Sequence, residues 1–206
     1  VVLNDYGKIV FGYEAVYIER HKRIKILNRK GLQEATISIP YYAKDNLEKI
    51  AFLRAQTLKI DDKGKVHTQE VNAKQIFDVN HTSNLREKRF IFPNVEVGSI
   101  IEYRYTTISK NFFTLEGWNF QSGIPTIHSE LRVEKPQSLT YRILLQGSRL
   151  SQKYEKLEEQ TWSLDNLHAL VKEPFVANYQ DYAEKISFQL NIFSQTDGVP
   201  IDSENH

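Results

Sequence analysis

The chain has 206 residues, 40% of them hydrophobic, and a formal net charge of +1. That is the balance of an ordinary soluble globular domain, long enough to bury a core without cross-links, and the small net charge excludes a global field strong enough to draw in nucleic acid or an anionic membrane. With no cysteine, disulfides, thiolate metal sites and a cysteine nucleophile are excluded together.

Residues 10–28 read as a long strand or hairpin arm. Val16, Ile18, Ile24 and Ile26 share one parity and Glu19, His21, Arg23 and Lys25 the other. Arg29-Lys30-Gly31 is a turn. Residues 35–41 alternate again, with Pro40 placed for a strand end or an edge. Residues 43–50 fit a short helix. Residues 52–60 and 66–71 are two arms joined at Asp61-Asp62-Lys63-Gly64, where the glycine supplies positive φ for a hairpin turn. Short strands follow at 75–79 and 87–92. After the break at Pro93-Asn94 and the redirecting Gly98, residues 99–108 place Ile101, Tyr103 and Tyr105 on one face and Ile100, Glu102 and Arg104 on the other. Residues 115–121, 127–134, 139–146, 153–163 and 186–193 read as further strands, and 166–171 as one helical turn. The pattern predicts an all-β fold, an antiparallel β-sandwich of about a dozen strands with at most short helical turns. We expect one domain over residues 1–194 and a polar, fraying tail over 195–206; two β layers divided near Pro125 or Pro136 are the alternative. The chain also lacks methionine, even at position 1, as a fragment or processed form would. It contains no run of ~18 apolar residues to span a bilayer and no signal-peptide pattern.

No residue set announces chemistry. The histidines, His21, His67, His81, His128, His168 and His206, show no metal-ligand spacing. There is no Gly-x-Ser-x-Gly elbow and no phosphate loop. The sequence therefore assigns no catalytic, cofactor-binding or metal-binding residue. Glu102, central in an apolar strand, is the one carboxylate of interest. It reads as a member of a cross-strand network with Arg104, or, as a remoter alternative, as an active group beside a histidine. Arg20, Lys22, Arg23, Lys25, Arg29 and Lys30 fall close together with no acid among them. Their outward members, His21, Arg23 and Lys25, make a candidate binding stripe for an anionic partner; the competing reading is charge protection of an edge strand. Trp118 and Phe120 share a parity and read as core rather than as a sugar platform. Asn80-His81-Thr82 fits a glycosylation sequon.

An ordered set of segments carries a family resemblance. They are His21-Lys22-Arg23-Ile24-Lys25-Ile26-Leu27 with Gly31-Leu32, Ile39-Pro40-Tyr41, and Ala55-Gln56-Thr57 ahead of Asp62-Lys63-Gly64-Lys65-Val66. Then come Phe92-Pro93-Asn94-Val95 with Gly98-Ser99-Ile100-Ile101-Glu102-Tyr103-Arg104-Tyr105, and Trp118-Asn119-Phe120-Gln121 with Ile124-Pro125. Last are Asn166-Leu167-His168-Ala169-Leu170 with Glu173-Pro174-Phe175, ahead of Ile186-Ser187-Phe188-Gln189-Leu190. Together they resemble domain of unknown function thirty-eight fifty-seven, which precedes transglutaminase-like cores in exported bacterial proteins. The resemblance implies a non-catalytic accessory β-sandwich whose partner is a downstream transglutaminase-like, papain-like domain of the same protein. Glu173-Pro174-Phe175 and the strand at Ile186 would form the exit toward that core. It also implies an exported location, periplasmic or at the cell surface. Because the Cys-His-Asp set of such cores has no counterpart here, no catalytic role transfers to any residue. A module binding an extracellular polymer, glycan or peptide, is the second reading.

Overall fold

The computed structural model describes residues 1–112, 115, 117–136, 139–154, 160–170, 183–194 and 200–202. In chain order the strands are β1 (Val2–Phe11), β2 (Val16–Lys25), β3 (Thr36–Tyr42), β4 (Glu48–Ile60), β5 (Val66–Glu70), β6 (Phe77–Asn80), β7 (Leu85–Ile91), β8 (Ile100–Ser109), β9 (Trp118–Asn119), β10 (Thr126–Glu134), β11 (Leu139–Gln146), β12 (Thr161–Leu167), β13 (Lys185–Ser194) and β14 (Pro200–Asp202). One short helix, α1 (Ser148–Lys153), a seven-residue 3-10 helix at Arg29–Ala35 and two single 3-10 turns complete the described elements. The fold is all-β, as the alternation requires.

The strands form three sheets. The largest has seven strands in the order β12-β10-β1-β2-β8-β4-β5; β3-β7-β6 form a second, and β11-β13-β14 with β9 a third. Among the described strands pairing is antiparallel with one exception that corrects the purely antiparallel expectation: β1 runs parallel to β10 from Val2↔Thr126 to Val10↔Glu134. A parallel pair needs a long crossover, and here everything from β2 to β9 intervenes.

One face of the seven-stranded sheet is covered by the two smaller sheets, each over its own apolar cluster. Ile9, Val16, Leu131 and Trp162 pack with Trp118, Phe120, Tyr141, Leu150 and Ile186. Val2, Ile24, Ala55 and Ile101 pack with Ile39, Phe90 and Phe92. Burying a Leu, Ile or Phe side chain contributes roughly 1.5–3 kcal/mol, so these clusters hold the sheets together. The stretch from Phe92 to Tyr105 joins the second and first sheets. Thr57 Oγ1 donates to the Pro93 carbonyl at 2.8 Å, Gly98 N donates to the Ile26 carbonyl at 2.8 Å, and Gly98 holds φ +100, where a side chain would be strained. Ile101 and Tyr103 face inward, as their parity predicts.

Several local expectations are corrected. Residues 10–28 are two strands, and β1 begins at Val2. The expected helix at 43–50 is a single 3-10 turn, Lys44–Asn46, before β4. The strand expected at 115–121 is only Trp118–Asn119 among the described residues, and β12 continues to Leu167 where a helical turn was expected. Of the strand expected at 153–163, residues 155–159 lie outside the described residues. So do 171–182, with Glu173-Pro174-Phe175, and most of the expected tail; within that tail Pro200–Asp202 pairs with β13. Helix α1 was not legible because six residues cannot sustain a helix alone. Its start is held by Glu184, whose carboxylate accepts from Arg149 N at 3.0 Å and Leu150 N at 2.9 Å.

Candidate functional site

The basic run of β2 is divided by the pleat. Arg20 and Lys22 turn inward with Ile24, and His21, Arg23 and Lys25 turn outward. β2 lies between β1 and β8, so the edge-protection reading is wrong: an inner strand has no edge to protect.

The inward pair meets Asp5, which is 3% exposed. Arg20 donates to both Asp5 oxygens, at 2.9 and 2.7 Å, and Lys22 Nζ lies 2.9 Å from Oδ2. Burial pushes the Asp5 carboxyl up, but the two cations outweigh it and hold the group below the usual carboxylate range. Burial likewise lowers the Lys22 ammonium, with Asp5 opposing. The Arg20 guanidinium sits over the Trp118 ring at 4.7 Å, and Trp118 Nε1 donates to Ser129 Oγ at 3.1 Å. Gly7 makes room for this ring, since a Cβ there would lie 2.5 Å from Trp118 Cζ3. This buried ion cluster is structural.

The outward residues form a polar face in cross-strand rows. One row runs Asn4, Arg23, Glu102, Gln56, Glu70; the next runs Tyr6, His21, Arg104, Arg54. Glu102 gathers three hydrogen bonds on this face: His21 Nε2 at 2.5 Å, Arg23 Nε at 3.0 Å and Gln56 Nε2 at 2.8 Å. Burial raises its carboxyl, and the donors from Gln56, His21 and Arg23 bring it below the ordinary value. Glu102 is therefore a carboxylate held in place by donors. The cross-strand network foreseen for it exists, but with these partners and not with Arg104. His21 and Arg23 of the candidate stripe converge on it, whereas Lys25 stands opposite Ile100 and does not join them.

A second histidine mirrors the first. His128 Nδ1 lies 2.6 Å from Asp165, and Tyr6 sits between the two imidazoles, 5.4 Å from His128 and 6.4 Å from His21 by ring centroids. His67 and His81 also meet carboxylates, Asp61 at 2.9 Å and Glu87 at 2.7 Å. These contacts orient imidazoles; among the described residues no group of three ligands could hold a metal.

A cleft of about 830 Å³ lies against this face, with His21, Glu102, Arg104, Arg54 and Glu70 in its lining. Arg54 and Arg104, the residues that the sequence reading did not single out for binding, face each other directly across β4 and β8. The signal that brings them together is the register of two strands about fifty residues apart, which composition does not carry. The arrangement can hold an anion; no serine or threonine hydroxyl is in the lining of this cleft among the described residues. No helix among the described residues is long and apolar enough to cross a membrane.

The model of a family described as "Domain of Unknown Function with solved-structure structure" (DUF3857) matches residues 14–171. No curated protein matches the sequence. Among solved structures, one from Parabacteroides distasonis described as a "putative protease" superimposes with a TM-score of 0.73 at 13% identity, over 93% of this chain and 40% of that one. At that identity the likeness shows the fold alone. The chain spans less than half the length of the protein it matches.

Proposed function

The chain belongs to the DUF3857 family, and from that premise we propose that it is a non-catalytic accessory domain of a larger protein, N-terminal to a transglutaminase-like, papain-like domain. The observation that carries the reading is the unequal coverage: nearly all of this chain corresponds to a minor part of a longer solved protein. The face geometry agrees with it. Glu102, His21 and His128 are locked by their partners, and a general base needs a substrate group within reach to do work. An exported location, periplasmic or at the cell surface, belongs to the same proposal and rests on the family resemblance.

The test compares this chain with the full gene product in peptide hydrolysis and amine-transfer assays. Activity is expected only in the longer protein, and a Glu102→Gln change in it should leave the chemistry intact. Turnover by the isolated chain, abolished by Glu102→Gln, would overturn the accessory role. Cell fractionation that finds the protein in the cytoplasm would overturn the location.

A further inference from the structure

The positive charge expected on the β2 stripe is largely engaged, since His21 and Arg23 both bind Glu102. A different pair of cations stays free. Arg54 and Arg104 are exposed and directly opposite one another, and neither enters the ion pairs of the described residues. His21 flanks Arg104 on its other side. Like charges directly opposite on a sheet destabilise it, so this row opposes folding unless a ligand neutralises it. The strand is also distorted at this point. The β4–β8 register shifts between Ala51 and Arg54, and Phe52 holds φ +52 while 78% exposed. A bulky residue at positive φ is an outlier, and bulges re-aim side chains beside sites. Both arginines line the 830 Å³ cleft.

We propose that this cleft binds an extended peptide carrying one acidic side chain, whose carboxylate is held by Arg54 and Arg104. Guanidinium forks match a carboxylate in a bidentate manner. The main chain of such a ligand has a place to run: β5 covers β4 only from Gln56 to Ile60, and no described strand pairs with residues 48–54 of β4 on the side away from β8. Glu70 in the same lining sets the limit, because it repels a second negative charge and so disfavours a polyanion such as a uronate polymer. The inference stands apart from the accessory role, since it concerns this chain by itself.

Fluorescence anisotropy tests it with a short labelled peptide of alternating threonine and valine bearing one central glutamate. The wild-type chain is expected to bind this peptide about tenfold or more tightly than its glutamine counterpart, the scale of a charged hydrogen bond. Arg54→Gln/Arg104→Gln should lose the same factor while melting no lower than wild type, because a repulsion is removed. Arg54→Gln alone, at an exposed position, gives a second reading. Equal binding by wild type and the double variant overturns the site, as does no binding by wild type. Tighter binding of oligogalacturonate than of the glutamate peptide overturns the peptide as occupant.

Discussion

Asp5→Asn removes the only anion of the buried cluster and leaves Arg20 and Lys22 facing a neutral amide. Three charge-assisted contacts of 2.7–2.9 Å lose their charge on one side, and the Lys22 and Asp5 side chains are only 11% and 5% exposed. Breaking a buried pair on one side costs about 3–5 kcal/mol, because the remaining charge is uncompensated. For a chain of this size each kcal/mol shifts Tm by about 2–4 °C, so a fall of roughly 6–20 °C is expected. Thermal denaturation followed by tryptophan fluorescence measures this fall and urea denaturation the free energy, with Trp118 over Arg20 as a local reporter. Asp5→Leu/Arg20→Met/Lys22→Met should recover most of the loss, since apolar replacement of a whole buried ion cluster is often neutral or stabilising. The pH dependence has a definite sign. Asp5 is held below its ordinary value in the folded state, so its contribution is present above the unfolded carboxyl value of about 3.9 and is lost as pH falls through the folded one. Asp5→Asn should remove that acid-side loss. A variant within about 1 kcal/mol of wild type at neutral pH would refute the reasoning.

Gly7→Ala drives a Cβ to 2.5 Å from the Trp118 ring and should cost about 1–3 kcal/mol by overpacking, with a changed near-UV circular dichroism band as the check. Glu184→Ala strips two amide hydrogen bonds from the start of α1; a loss of about 2–3 kcal/mol is expected, and hydrogen exchange should speed up at Arg149 and Leu150 before it does elsewhere. Glu102 is also held below its usual value, so its contribution is present above the unfolded value of about 4.3 and lost as pH falls through the folded one. Acid denaturation of Glu102→Gln should therefore show a shallower acid limb than wild type, and an unchanged limb would count against the network.

By itself the sequence determined the fold class and most strands of the chain, because alternation is a local property of the pleat. The parity of residues 99–108 placed Ile101 and Tyr103 inward and Glu102 outward, and Gly64 in its turn takes the positive φ of +78 that its position demands. Pro40 fell on β3, an edge strand of its sheet. What tertiary structure decided is which rows lie side by side. The parity of β2 put Arg20 and Lys22 on the core face, but only the pairing with β1 supplies Asp5 across from Lys22 to make their burial tolerable. The same pairing turned a supposed edge into an inner strand. His21, Arg23 and Lys25 looked like one stripe, yet β8 brings Glu102 to two of them and leaves Lys25 apart. Arg54 and Arg104 became neighbours only through the β4–β8 register. Side-chain parity is written in consecutive residues, whereas the partner across a sheet comes from a distant strand. That is why the chain announced its architecture, and why the exposed Arg54–Arg104 row could be found only in three dimensions.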